Sequence, residues 1–202
     1  MTATRDADTP LGKGDVVLDV RDLRVVFDTR RGRARAVDGV TLSLRAGETL
    51  GLVGESGCGK TVTALSLMRS VPSPGNIDGG TVTFEGRDLL TMPEAQVARL
   101  RGRRIALIPQ DPLTALNPGM TLGEHITEVL DVHLDVRGAA ATARAAELMA
   151  RVGIPEPRRR LDSYPHQLSG GMRQRVMIAL AIACNPSVLI ADEPTTALDA
   201  TV

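Results

Sequence analysis

The stretch Gly54-Glu55-Ser56-Gly57-Cys58-Gly59-Lys60-Thr61 fits the pattern G-x-x-x-x-G-K-[ST], and the rest of the chain is read outward from it. Before it stands the apolar run 49–53, which reads as a buried parallel strand. After it, residues 60–69 read as a helix. A glycine loop between a strand and a helix suits phosphate, because glycines let successive backbone N–H groups curl around an anion and the helix start adds a favourable dipole. In this pattern Lys60 reaches the β and γ phosphates and Thr61 ligates Mg²⁺. Composition supports that reading: of 24 basic residues only Lys13 and Lys60 are lysine. A chain that otherwise uses arginine keeps a compact ammonium where a wide guanidinium would not fit between phosphates. Cys58 fills an unspecified position of the loop and reads as a spacer.

The chain has 202 residues, 43% hydrophobic and 24% charged, which bounds it to one well-cored soluble domain with room for a small inserted subdomain. Its 24 acidic residues balance its 24 basic ones, so no global field favours a nucleic acid. Cys58 and Cys184 are too far apart in sequence for a CxxC pair and make no disulfide framework. Residues 1–15 read as a flexible polar tail without a secretory apolar region. The most apolar run, 176–184, is far shorter than the ~20 residues that span a bilayer.

From Val16 to Phe27 the mostly alternating apolar residues predict antiparallel strand, and Val40, Leu42 and Leu44 predict another. Residues 72–80 read as a turn-rich link, 81–85 as a short strand and 104–109 as a buried one. Helical patterns over 121–130 and 139–152 lie in a helical subdomain placed at about 111–175. A helix opens at Gly170-Gly171 and runs to Cys184, and a last buried strand, 188–191, ends at Asp192-Glu193. The order predicts an α/β core with ligands at the carboxyl ends of parallel strands. There Asp192 suits Mg²⁺ and Glu193 suits polarising the attacking water. Leu168-Ser169-Gly170-Gly171 starts a helix with donors turned to an anion, although Ser169 also reads as a plain helix cap.

LSGG followed by MRQR, between the two phosphate-site motifs, resembles the signature of ABC transporter ATPases. The resemblance implies a P-loop NTPase fold of the ABC type: an α/β nucleotide-binding domain over 16–202 with an antiparallel β subdomain and an inserted helical subdomain, incomplete at its C-terminus. It implies ATP and Mg²⁺ as ligands, with Gln110 touching the metal and the water and Asp199 at a dimer interface. Gly54-Glu55-Ser56-Gly57 and the run from Gln110 to Pro118 look like the dipeptide, oligopeptide and nickel importer branch. By that likeness two ATP-binding subunits face head to tail, Ser169, Gly170 and Gly171 of one closing on the γ-phosphate held by Lys60 of the other. They serve two membrane permease subunits, and indirectly an extracytoplasmic solute-binding protein, at the cytoplasmic face of the cell membrane.

Two departures from the family pattern stand out. The family stacks adenine on an aromatic in the loop before the second strand, and residues 30–35 contain none. Phe27 is the nearest aromatic, although it continues the apolar strand face, and an arginine could stack instead. The family's switch histidine follows one further strand, beyond Val202. His125, His133 and His166 read as surface or packing residues, and Arg158-Arg159-Arg160 as a solvated run or a contact to anionic lipid. Rival readings are a nucleotide-binding but catalytically idle fragment and a non-transport ABC ATPase.

Overall fold

The computed structural model describes residues 12, 14–30, 32–111 and 115–193, which form two compact units divided at Ala98/Arg99. The expected tail therefore lies almost wholly outside the described residues, as do Asp199 and the chain end.

In the first unit, β1 (Val16–Thr29) pairs antiparallel with β2 (Gly32–Arg45) on one side and β3 (Gly75–Phe84) on the other. A two-residue β4 (Arg87–Asp88) completes the order β2-β1-β3-β4. Alternation along β1 is broken where Val17 and Leu18, and then Val25 and Val26, are buried as neighbours, and between these where Arg21 and Asp22 are both exposed. Irregularities in register fall at the same points, between Val16 and Leu18 and between Val25 and Val26. An extra residue in one strand turns the next side chain to the same face, so both apolar neighbours find cover.

The link expected at 72–80 is in fact the first half of β3 beyond Gly75. Ile77 pairs with Val25 and Gly75 with Phe27. A Cβ at Gly75 would lie 2.7 Å from the Phe27 ring, so the ring occupies the space that a side chain would need. Cross-strand packing of this kind outweighs the turn preference of a Gly/Asn/Asp-rich segment.

The apolar run 49–53 also departs from expectation: it is not a strand, and Leu50, Leu52 and Val53 are 47%, 49% and 92% exposed. A parallel strand is buried only when neighbours hydrogen-bond both its edges and other layers cover its faces. Among the described residues none pairs with it. The glycine loop follows, then α1 (Lys60–Ser66), which ends before the expected Arg69 because Arg69 adopts a positive φ of 50°. The Arg69 guanidinium donates to the Leu89 and Met92 carbonyls, tying the end of this turn to the chain after β4. The sequence reading missed α2 (Glu94–Leu100), although Pro93 before it, Glu94 in its first turn and Arg99 in its last carry the usual end signals.

In the second unit, β5 (Ile105–Ile108) and β6 (Val188–Ala191) form a parallel pair in the register Ile105↔Val188 to Ile108↔Ala191. Helices α3 (Leu122–Leu134), α4 (Gly138–Arg151), α5 (Pro157–Arg160) and α6 (Gly170–Ile182) supply the larger core. Leu122, Ile126 and Leu130 recur every four residues along α3 and meet Ala145, Leu148 and Met149 of α4 and Val176 of α6 in one apolar cluster. A short 3-10 turn, Pro165–Gln167, leads into α6. No helix among the described residues is long and apolar enough to cross a membrane.

Candidate active site

The phosphate loop of the first unit is exposed from Gly54 to Cys58, with Gly59 and Lys60 half-buried and Thr61 exposed. Gly59 caps α1 with φ at 95°, in the left-handed region, and a Cβ there would stand 2.3 Å from the Ala36 carbonyl oxygen. Only glycine fits this approach of the loop to β2. The Lys60 ammonium donates to the carbonyls of Gly54, at 2.9 Å, and Glu55, at 3.0 Å. It is thus folded over the loop that would surround an anion, and these two carbonyls are neutral acceptors that phosphate oxygens would outcompete. Cys58 packs against Gly54: a Cβ on Gly54 would meet the Cys58 sulfur at 2.5 Å. Ser56 and Gly57 form the turn between them, Gly57 with φ at 82°.

In the second unit the parallel register brings the residues after β5 and β6 side by side. The Asp192 N–H continues the ladder to the Ile108 carbonyl at 3.0 Å, and Asp192 is buried, 8% exposed. Glu193 follows in the left-handed region, φ 46°, which turns its carboxylate towards Gln110. The Gln110 amide Nε2 donates to Glu193 Oε2 at 2.7 Å. Gln110, read from the sequence apart from Asp192-Glu193, therefore meets them at the ends of two paired strands. Two of the three come from one strand turn and the third from a segment 82 positions earlier. Backbone strain at a position such as Glu193 is characteristic of functional sites.

Ser169, at the start of α6, accepts a hydrogen bond on its Oγ from the Met172 N–H at 3.3 Å, so the cap reading is correct as far as it goes. The cap engages the third helical N–H and leaves those of Gly170 and Gly171 at the open helix start, and a Cβ on Gly170 would meet nothing within 4 Å. The Arg173 Nε donates to the Pro165 carbonyl at 2.8 Å, fastening the turn before Ser169 to the helix after it.

The first comparison with known proteins falls on the same residues: a family model described as ABC transporter matches 37–196, most of the chain. The chain belongs to the ABC transporter family. Its ABC fold is shared with a solved dimeric ATP-binding cassette in a post-hydrolysis state bound to ADP and Pi. That match has a TM-score of 0.81 at 26% identity and covers 91% of this chain and 76% of that one. A dimeric bacterial ABC transporter cassette gives 0.78 at 27% identity, covering 90% and 76%. The chain is 52% identical over 191 residues to a probable peptide ABC transporter ATP-binding protein of Sinorhizobium fredii, covering 94% of this chain and 57% of that one. It is 50% identical over 204 residues to the oligopeptide transport ATP-binding protein OppD of Escherichia coli, covering 100% and 60%. It therefore spans less than two thirds of the length of these relatives.

In this ABC domain Phe27 does not present a free ring: it is half-buried and covers Gly75, in agreement with its reading as strand packing. Arg33 and Arg35 are engaged in ion pairs on the sheet, Arg33 with Asp28 and Asp78 and Arg35 with Asp38. The Asp78 partnership holds the Arg33 guanidinium above its ordinary value. The histidines pack as expected. His133 lies against Gly102 and is held below its ordinary value by burial and then by Arg103. His166 stacks on Tyr164 with ring centroids 5.6 Å apart. His125 is buried, and its contacts were not legible in the sequence.

Proposed function

We propose that this chain is the ATP-binding and ATP-hydrolysing subunit that energises import of a di- or oligopeptide across the cytoplasmic membrane. The observation that carries hydrolysis, rather than idle binding, is the Gln110–Glu193 hydrogen bond beside buried Asp192 at the ends of the parallel strands. A site that only held nucleotide would need the phosphate loop but not a carboxylate positioned by an amide. The peptide assignment rests on the relatives, which are named for peptide and oligopeptide transport.

In the proposed reaction the β and γ phosphates accept from the loop amides of residues 54–61 and from Lys60, which leaves the Gly54 and Glu55 carbonyls to reach them. Thr61 Oγ1, the Asp192 carboxylate and Gln110 Oε1 are the proposed Mg²⁺ ligands, all of them hard oxygen donors of the kind this ion takes. When bound, Mg²⁺ neutralises charge on the phosphate oxygens. Glu193 accepts a proton from water as the water oxygen bonds to the γ-phosphorus and the bond to the ADP oxygen breaks. The Gln110 amide keeps the Glu193 carboxylate oriented until the water takes its place.

Ser169, Gly170 and Gly171 would close on the γ-phosphate of a second ATP-binding subunit, with Asp199 at that interface. The partners proposed are two membrane permease subunits at the cytoplasmic face, supplied by an extracytoplasmic solute-binding protein, with no nucleic acid involved. Glu193→Gln in the assembled transporter is expected to keep nucleotide affinity and to lower turnover by about 10² to 10⁴-fold. Wild-type turnover in that variant would remove Glu193 from the chemistry. Uptake of a labelled oligopeptide, lost in Lys60→Ala cells, tests the solute class.

A further inference from the structure

One offset runs the whole length of the parallel pair in the second unit. Arg104 and Ser187 stand 83 positions apart, as do Gln110 and Glu193, and every ladder pair from Ile105↔Val188 to Ile108↔Ala191 keeps that offset. At the start of the pair the Arg104 Nε donates to Ser187 Oγ at 3.1 Å. The Arg104 carbonyl there accepts from the Ser187 N–H at 2.9 Å and the Val188 N–H at 3.1 Å. At the other end the Asp192 N–H donates to the Ile108 carbonyl, and the Gln110 amide to Glu193 Oε2 at 2.7 Å. Arg104 is itself seated by a tight turn, its N–H donating to the Leu100 carbonyl at 2.8 Å and the Gly102 N–H to the Ile105 carbonyl at 2.9 Å. Burial does not choose this register. A strand with one buried face is set by that face, because a slip of one residue turns every side chain over. β5 is apolar on both faces, with Ile105, Ala106 and Ile108 all buried, so it presents apolar side chains to either side after a slip. β6 is only partly covered: Leu189 is 44% exposed, and Ala191 is exposed as well. A slip of one position nevertheless moves Gln110 off Glu193, and the carboxylate loses its amide.

We propose that Arg104 and Ser187 are positioning residues for hydrolysis: their side-chain bond pins the register of β5 and β6 and so keeps Gln110 opposite Glu193. The proposal rests on the hydrolytic roles given above to Gln110 and Glu193. The bond lies at the far end of the ladder from those residues, so it acts on them through the ladder. Backbone donors and acceptors repeat along both strands and pair again after a slip. A guanidinium Nε is a directional donor and a serine hydroxyl an acceptor of short reach, so this one bond fits one register.

The test uses Arg104→Met, which keeps the stem and removes the donor, Ser187→Ala, which removes the acceptor, and Ser187→Thr, which keeps a hydroxyl. All are made in the full chain, with folding checked by circular dichroism. In Arg104→Met and Ser187→Ala the Gln110 side-chain amide resonances are expected to move towards the positions they take in Glu193→Ala, where their acceptor is gone. In the assembled transporter kcat should fall about two- to tenfold, as loss of one net hydrogen bond allows, with KM for ATP unchanged. Ser187→Thr should restore both readouts. Joining Arg104→Met to Ser187→Ala should lower kcat no further than either alone, since each removes the same bond. Gln110 resonances that stay in place in both single variants would overturn the proposal and leave the bond a stabilising contact, whatever happens to the melting temperature. Resonances that move while kcat holds would overturn it too, as would effects that multiply in the double variant or a Ser187→Thr chain that behaves like Ser187→Ala. If Glu193→Gln turned over normally, the hydrolytic reading would fall, and the resonances would still show whether the pin sets the pairing.

Discussion

Replacing Gly59 by alanine would set a Cβ against the Ala36 carbonyl oxygen, 2.3 Å away, in a residue whose φ is 95°. The left-handed conformation alone costs a non-glycine residue about 1–2 kcal/mol, and the backbone clash adds to it. Gly59→Ala is therefore expected to lower thermal stability and to weaken ATP binding together, read by a melting curve and by titration of a fluorescent ATP analogue. Lys60→Ala should separate those two effects. The ammonium contacts two loop carbonyls at the half-buried rim, so the fold should tolerate its loss. Hydrogen bonds from a charged donor are worth about 1.5–3 kcal/mol, and the same titration should show nucleotide affinity falling by roughly 10 to 150-fold. An unchanged affinity would place the phosphates elsewhere.

At the level of elements, α3 is secured at its start by the reciprocal Thr121/Glu124 cap, which satisfies two of its otherwise unpaired N–H groups. The Thr121 backbone N–H, chiefly, holds the Glu124 carboxyl below its ordinary value. A carboxyl depressed in the folded state stabilises above its unfolded pKa, and that contribution disappears as pH falls through the folded value. Wild type should thus melt above Glu124→Ala near neutrality, and the gap should close as pH drops into and below the carboxylate range. A gap that widened towards acid would show that the cap does not depend on the charged form. The same helix start carries His125, whose Nε2 accepts the Asn117 N–H at 2.9 Å.

For the whole molecule, the exposed run Leu50, Leu52 and Val53 is the chief departure from a buried core. Contiguous exposed apolar side chains bind other apolar surfaces. The 202-residue chain is expected to bind an apolar fluorescent dye, and Leu52→Ser with Val53→Ser should remove most of that signal. Dye binding unaffected by the pair would show the run to be covered in solution.

Much of the chemistry was legible locally, because it depends on residues adjacent in sequence. The phosphate loop, the Asp192-Glu193 strand end and the Ser169 cap each declare themselves by spacing, and α3 and α4 by apolar periodicity. Gly75–Gly80 was not legible, since its composition reads as a turn and only Phe27 and Val25 across the sheet make it a strand. The run 49–53 failed in the opposite sense: its apolar pattern states a capacity for burial, while burial itself is decided by partners. Neither the 2.7 Å bond from Gln110 to Glu193 nor the seating of Asn117 on His125 can be found by spacing. By itself the sequence determined which groups could bind phosphate and move a proton. Tertiary structure decided which of them meet, because the register of two parallel strands joins residues that the chain keeps far apart.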